Sequence, residues 1–403
     1  MAKLIAADLF CGAGGLSEGL AQAGFQINFA SDIHQTYTQT YKYNHPNTYV
    51  CTEDIRNLSN KQVLEFCQVK PGDLDLLAGG PPCQGFSINA PVRTMEDERN
   101  HLFVHFLRVA ETLKPKYILI ENVPGIVSLE KGTVVKAIYK SLNKLGYKVR
   151  HMILFAAHYG VPQMRWRTFF IGTRLKNAEC LFPYPTHFAQ GVANFTGGKN
   201  LCFKIESKES LFGPQLLDYT TVWDAISDLP VIENGGGADE MQYDTPPKSE
   251  YQKLLRENSK ILYNHRAPTL GKINLERLKY IPQGGSWRDI PFDLLPAGLK
   301  KARRSDHTKR YGRLDPNGIC STILTKCDPH WGSFFHPTQE RTLTVREAAR
   351  IQSFPDRFRF LGSLTEQYEQ VGNAVPPLLG KAIGEIIAQQ IFANQLSGKL
   401  QAV

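Results

Sequence analysis

Short apolar runs, too brief for helices and bounded by Gly, Pro, Asn or Asp, punctuate the first part of the chain. They predict buried strands at Leu4–Ala7, Phe25–Ala30, Val50–Asp54, Leu74–Ala78, Tyr117–Ile120, Tyr147–Leu154 and Thr168–Gly172. Between them the spacing predicts helices over Glu18–Ala23, His101–Leu113 and Thr133–Leu145. Such alternation builds an α/β layer structure on a mostly parallel sheet. Near Cys180 the alternation fades, and Gly235-Gly236-Gly237 and Pro246-Pro247 mark loops in an irregular stretch that runs to about His330. Regular patterning returns near Arg341. There Thr344-Val345-Arg346-Glu347 reads as a capping box opening a helix over Val345–Ser353. Pro376-Pro377 opens a long amphipathic helix, Leu378–Gln395, and the Gly372-Asn373 pair before it is expected to form a tight turn. The expected organisation is a first domain over 1–180, a smaller irregular domain over 181–335, and a segment over 336–403 that returns to the first.

Composition narrows the class without naming it. The 403 residues are 42% hydrophobic and 21% charged, as in an ordinary folded domain pair. No apolar run approaches the roughly 20 residues of a membrane span, and the N-terminus has no signal-peptide pattern. The cysteines at 11, 51, 67, 83, 180, 202, 320 and 327 include no C-x-x-C pair, so neither a zinc site nor a disulfide framework is expected. Free thiols fit a reducing cytoplasm. The excess of 47 Lys and Arg over 38 Asp and Glu gives +9, which suits a polyanionic partner but equally a solvated basic surface.

Candidate chemistry collects at strand ends. Gly79-Gly80-Pro81-Pro82-Cys83-Gln84-Gly85-Phe86-Ser87 follows the fourth predicted strand. Two glycines and two prolines fix an abrupt turn there and leave the Cys83 thiol on its lip. That is the carboxyl edge of the sheet, where open α/β folds gather ligands. The bland alternative is a buried structural cysteine. Glu121 ends the fifth strand at the same edge, with helix capping as its alternative role. The turn Asp8-Leu9-Phe10-Cys11-Gly12-Ala13-Gly14-Gly15-Leu16-Ser17 has Ser17 where a third dinucleotide-binding glycine would stand. A smaller nucleoside lying against bare Gly12–Gly14 backbone fits better than a pyrophosphate. Asp32, twenty residues after Gly12, is placed to bond ribose hydroxyls, and Asp54 to receive an amino group. If Gln163 to Arg167 is extended, Gln163, Arg165 and Arg167 share a face by the strand period of two. The stretch Lys300–Arg313 carries seven basic residues, among them Arg303, Arg304, Arg310 and Arg313, against Asp306. Trp287 and Tyr311 accompany it, a mixture that suits phosphate contacts with base contacts.

Taken together these motifs resemble the DNA (cytosine-5) methyltransferases in their bacterial single-chain form, over nearly the whole chain and in the family's order. Asp8–Gly15 resembles the S-adenosylmethionine loop, Gly80–Ser87 the catalytic loop, and Glu121-Asn122-Val123 the glutamate motif. Gln163-x-Arg165-x-Arg167, Arg341–Arg350 and Gly372–Pro377 are similar to the family's remaining motifs. The resemblance implies a Rossmann-like S-adenosylmethionine-dependent methyltransferase fold with a mixed, mostly parallel sheet, and a smaller irregular target recognition domain. It implies catalytic roles for Cys83, Gln84, Glu121, Arg165 and Arg167, with Arg165 contacting the base and Arg167 supporting the site. The implied cofactor pocket is Phe10, Gly12, Gly14, Asp32, Ile33, Asp54, Ile55, Pro81, Leu102, Asn373 and Val375. Ile33 departs from the pattern, since an aromatic often stacks on adenine there. Implied DNA contacts are Ser87, Arg99, Gln163, Arg303, Arg304, Arg310 and Arg313, with the polar Ser87–Asn100 loop as a lid. No metal is expected. The implied partner is double-stranded DNA, with a cognate restriction endonuclease as a candidate companion. The enzyme is expected to be a monomer in the bacterial cytoplasm, held at the nucleoid through DNA. A tRNA cytosine-5 methyltransferase is the alternative substrate reading. A DNA-binding regulator without catalysis and a nicotinamide oxidoreductase with an active thiol are the readings from other classes.

Overall fold

The computed structural model describes residues 3–82, 98–191, 198, 200–209 and 214–400. The chain divides into two compact units. One comprises Met1–Tyr159, Trp166–Leu216 and Pro377–Val403, the other Gly160–Arg165 and Leu217–Pro376.

The first unit is built on seven strands: β1 (Leu4–Leu9), β2 (Phe25–Ser31), β3 (Tyr49–Cys51), β4 (Leu76–Gly79), β5 (Tyr117–Asn122), β6 (Lys148–Phe155) and β7 (Trp166–Thr173). Helices α1 (Gly15–Gln22), α2 (Gln35–Asn44), α3 (Asn60–Cys67), α4 (Glu98–Leu113) and α5 (Thr133–Lys144) connect them. The sheet order is β3-β2-β1-β4-β5-β7-β6, and β7 alone runs against its neighbours. The mixed, mostly parallel α/β sheet expected of the Rossmann-like methyltransferase fold is therefore present. Strand β4 is buried on both faces, which is why its sequence is a continuous small and aliphatic run rather than an alternating one. Phe103, Phe106, Ile138 and Leu142 from α4 and α5 pack in one core with Leu77 and Ile118 of the sheet. The strand order reverses between β1 and β4, which pair in register up to Leu9 and Gly79. A crevice opens at such a reversal, beyond the carboxyl ends of the strands.

The helix Pro377–Leu400 joins this unit by crossing α1. A side chain on Gly19 would meet the Pro377 carbonyl at 2.3 Å, and one on Gly384 would meet the Ala23 Cβ at 2.7 Å. Glycine at these positions lets two backbones approach, so the chain's last helix is fastened beside its first.

The second unit is organised around the helix Val345–Ile351, every residue of which is buried. The expected capping box is formed: the Thr344 hydroxyl accepts from the Glu347 N–H while the Glu347 carboxylate accepts from the Thr344 N–H. The same carboxylate also takes a bidentate pair from Arg341 at 2.8 and 2.7 Å. Arg350 pairs bidentately with Asp356 at 2.9 and 2.6 Å and also donates to Asp228. Arg346 donates to the carbonyl of Tyr263, joining the helix to a segment distant in sequence, and to that of Pro355 just beyond the helix. Such pairs contribute to stability only when each charge is fully answered, and here they are. A satellite core holds Trp287, Tyr311, Leu278 and Phe335.

Three local expectations change. Strand β3 stops at Cys51, so Asp54 falls in the following turn rather than at a strand end. Helix α4 starts at Glu98, so the end of the presumed Ser87–Asn100 loop is helical. Gly372-Asn373 is not a tight turn but the last turn of the helix Leu364–Asn373. Glycine stands there because a Cβ would lie 2.3 Å from the Leu324 carbonyl.

Candidate active site

The carboxyl edge of the first unit's sheet brings together Gly80, Pro81, Glu121, Asn122 and Arg167. In the antiparallel pair β5–β7, Glu121 faces Phe169, and Arg167 two residues along projects from the same face. Diagonal neighbours of this kind are within reach of a long side chain, and Arg167 Nε lies 2.8 Å from Glu121 Oε1. The backbone of Gly80 passes so close that an added Cβ would sit 3.1 Å from Glu121 Oε2. Asn122 donates from its amide to the Pro81 carbonyl at 3.1 Å. Glu121 and its neighbour therefore anchor the root of the Pro81-Pro82 turn. Cys83, Gln84 and Ser87 lie outside the described residues, as does the side chain of Arg99 in the first turn of α4.

The glycine-rich turn lies beyond β1 at the same edge. Gly12 has φ +53 and Gly14 has φ +100, left-handed backbone that glycine adopts without strain. Around a Cβ built on Gly12 there is open space for 4 Å. Phe10 is also left-handed, at φ 58, and packs partly against the main core with Leu102. Asp32 is held by two backbone donors: Gly12 N–H to one carboxylate oxygen and His34 N–H to the other, both at 2.9 Å. Each oxygen keeps a second lone pair for a ligand hydroxyl. Ile33 is 59% exposed beside it. Asp54 takes three donors of Arg56 at 2.9, 2.9 and 2.6 Å. Those bonds hold its carboxyl below the usual range. Ile55 is a core residue and Pro81 is buried. Asn373, exposed, and Val375, buried, belong to the second unit.

A buried network beneath this turn was not anticipated from the sequence. Tyr41 donates to the Ser17 hydroxyl at 2.7 Å, and Ser17 donates to Asp8 at 2.6 Å. Burial pushes the Asp8 carboxyl up to about 7, the Ser17 bond opposes the shift, and the charges of Asp32 and Glu121 add to it. Asp8, Asp32 and Glu121 thus share one negative field at the sheet edge. The available signal was position: Asp8 closes its strand beside the glycines as Glu121 closes its own.

Residues from the Gln163-x-Arg165-x-Arg167 motif have different surroundings. Regular strand begins only at Trp166. Gln163 and Arg165 are fully buried in the second unit. Gln163 donates to Gln352 at 2.9 Å and accepts from the Ile323 N–H at 3.0 Å. Arg165 donates to the carbonyls of Ile323, Gly372 and Ala374 at 3.2, 2.7 and 2.9 Å. The last two lie at the end of the helix Leu364–Asn373, where carbonyls lack helical partners and a cation is favoured. Arg313 likewise donates to the carbonyls of His336, Pro337 and Ile281. Arg303 and Arg304 are exposed, and Arg310 is half-buried. Trp287 and Tyr311, expected to offer faces to bases, are buried in the satellite core instead.

Among the described residues no group of three or more His, Cys, Asp or Glu could hold a metal ion, and no helix is long and apolar enough to cross a membrane. The glycine turn, the acid after β2 and the reversed seventh strand define a Rossmann-like methyltransferase. The C-5 cytosine-specific DNA methylase family matches residues 4–389. The Type II methyltransferase M.AgeI of Thalassovita gelatinovora is 36% identical, covering 94% of this chain and 98% of its own length. M.DdeI of Desulfomicrobium norvegicum, also a Type II methyltransferase, is 36% identical over 94% of this chain and 88% of its own. A solved structure from E. coli, assigned as a prophage-encoded DNA modification methyltransferase, superposes with a TM-score of 0.69. It has 28% identity and covers 96% of this chain and 99% of its own. The chain belongs to the C-5 cytosine-specific DNA methylases and is a DNA (cytosine-5-)-methyltransferase.

Proposed function

We propose that the chain methylates C5 of a cytosine flipped out of a specific duplex sequence, through a transient bond from the Cys83 sulfur to C6. The observation that carries this reading is the Glu121–Arg167 pair at 2.8 Å, set against the backbone that leads into Cys83. Cytosine C5 is a poor nucleophile. Attack of the thiolate on C6 breaks the C5–C6 π bond and moves its electrons to C5. S-adenosylmethionine, when bound, would supply the electrophilic methyl from a sulfonium, whose sulfur keeps the broken bond's electron pair as a neutral thioether. Loss of the C5 proton returns an electron pair to the ring, the C5–C6 double bond reforms, and Cys83 leaves as thiolate. Glu121 holds the N3/N4 edge of the ring and favours its protonated form. Such preorganised electrostatics supply a large share of many rate enhancements. Gln84 completes the loop's contribution.

We exchange two of the roles that the resemblance implies. Arg167 touches Glu121, whereas Arg165 donates to three carbonyls, so we give Arg167 the contact with the base and Arg165 a positioning role. The cofactor fits the first unit: the bare backbone at Gly12 leaves space, Asp32 presents lone pairs for ribose hydroxyls, and the field of Asp8, Asp32 and Glu121 favours a cationic ligand. Phe10, Gly14, Ile33, Asp54, Ile55, Pro81 and Leu102 complete the proposed pocket set in this unit. Extruding the cytosine costs a few kcal/mol, which phosphate contacts from Arg303, Arg304 and Arg310 in the 181–335 recognition region help to offset. The Type II relatives support a modification role beside a cognate restriction endonuclease. On this reading the protein works as a cytoplasmic monomer on nucleoid DNA. A tRNA substrate is not favoured, because the matching family and these relatives are DNA methylases.

Bisulfite sequencing of plasmid DNA incubated with the protein and S-adenosylmethionine tests the reading. It predicts protected cytosines confined to one short sequence. Labelled methyl entering tRNA but not duplex DNA would overturn it.

A further inference from the structure

We infer that Trp331, with Arg310 seated on its ring, is a stacking contact to a nucleobase of the bound DNA. This inference rests on the DNA methyltransferase reading and assigns one of its recognition contacts. A singly exposed apolar side chain is common and by itself means little. What distinguishes Trp331 is how firmly an open position is held. The residue is 52% exposed. Its turn is fixed by Asp328, whose carboxylate accepts from the His330 N–H at 2.9 Å and whose carbonyl accepts from the Trp331 N–H at 3.0 Å. That turn is in turn fastened to the basic stretch: Tyr311 N–H donates to the Pro329 carbonyl at 2.6 Å, and the Ser333 hydroxyl to the Lys309 carbonyl at 3.1 Å. The Arg310 guanidinium lies 5.2 Å from the centre of the Trp331 ring. The His330 ring meets the indole edge-on at 5.0 Å.

Such an arrangement presents an aromatic surface and a cation together, without burying either fully. A nucleobase beside its phosphate has the matching pair of features. Aromatic stacking is tolerant of base identity, and arginine answers the phosphate. The stretch that carries Arg310 is complementary in charge, since Lys300, Lys301, Arg303, Arg304 and Lys309 are all exposed, against the exposed acids Asp306 and Asp328. DNA opened around an extruded base offers base faces that an intact duplex hides, and an indole already ordered loses little freedom on meeting one.

The test uses the full chain and a fluorescein-labelled duplex carrying the sequence mapped by bisulfite sequencing. Affinity is measured by anisotropy across a salt series, with S-adenosylmethionine binding by calorimetry as a check of folding. Trp331→Ala is expected to weaken DNA binding roughly tenfold at an unchanged salt slope. Trp331→Phe should stay within about threefold, because it keeps a ring to stack. Arg310→Gln should lower the slope by about one ion. Cofactor binding should match wild type in all three. Unchanged affinity in Trp331→Ala overturns the inference. So does a slope that falls as in Arg310→Gln, since Trp331 would then merely prop the arginine. Sedimentation showing that Trp331→Ala breaks a wild-type dimer while DNA affinity holds would overturn it in favour of a second copy. A wild type that ignores the duplex altogether overturns the underlying reading instead.

Discussion

At the sheet edge of the first unit, Asp8 is buried against a hydroxyl, and its carboxyl rises to about 7 in the field of Asp32 and Glu121. In the second unit Glu347 is just as deeply buried but faces Arg341. Burial alone would raise its carboxyl, yet the guanidinium and the neighbouring His336 hold it well below the usual range. Arg350 is raised in the same manner by Asp356 and Asp228, which outweigh its burial. One region leaves negative charge incompletely answered where a cationic ligand is expected. The other pairs Glu347, Arg350, Asp228 and Asp356 with opposite charges and uses them to join helix Val345–Ile351 to its surroundings. The difference separates residues retained for chemistry from residues retained for architecture, although both sets carry family motifs.

The largest effect should come from unbalancing the matched region. Arg350→Met removes the main cation from two buried carboxylates, leaving Asp228 with Arg256 and Asp356 with Tyr243 and the more distant Arg346, and chemical denaturation should report a loss of about 3–5 kcal/mol. A loss below about 1 kcal/mol would mean that these carboxylates relax to water or protonate easily. Next, Glu121→Gln should lower kcat by roughly 10²–10³ while the melting temperature barely moves. A collapse in melting temperature with normal turnover by the folded fraction would make the Glu121–Arg167 pair architectural, erasing the contrast. The smallest effect belongs to Asp8. Its folded-state carboxyl lies at about 7 against an ordinary 3.8, so stability present below the ordinary value is lost as pH rises through the folded one. Asp8→Asn removes that dependence. Its melting temperature relative to wild type should therefore be higher at pH 8 than at pH 5, by a few degrees at most. A constant difference across that range would mean that Asp8 is ionised throughout.

Much of the first unit was legible because its strands are continuous apolar runs and its turns are marked by glycine and proline. Asp8–Gly15, Gly79–Ser87 and Glu121 follow strands whose ends were read to within about two residues. Strand β3 misled, since Val50 to Asp54 looks extended but Arg56 draws Asp54 into a turn. The second unit was harder because its order depends on pairings between distant residues. Arg165 and Arg313 look like exposed cations in sequence, and only the carbonyls brought to them by the fold show otherwise. Tyr311 and Trp287 read as aromatic contacts because they stand beside the basic stretch in sequence. Trp331 carries no such sign, since what brings it there is the pairing of Tyr311 with Pro329, a tertiary contact with no local signature.

The covalent step is the claim on which the rest turns, and a duplex with 5-fluorocytosine at the target position tests it directly. Fluorine at C5 cannot leave as a proton does, so release of the sulfur is blocked once methyl transfer has occurred. Incubation with S-adenosylmethionine, digestion and mass mapping should find the oligonucleotide bonded to the peptide containing Cys83. An adduct on another side chain, or none under conditions in which unmodified cytosine is methylated, would contradict the account.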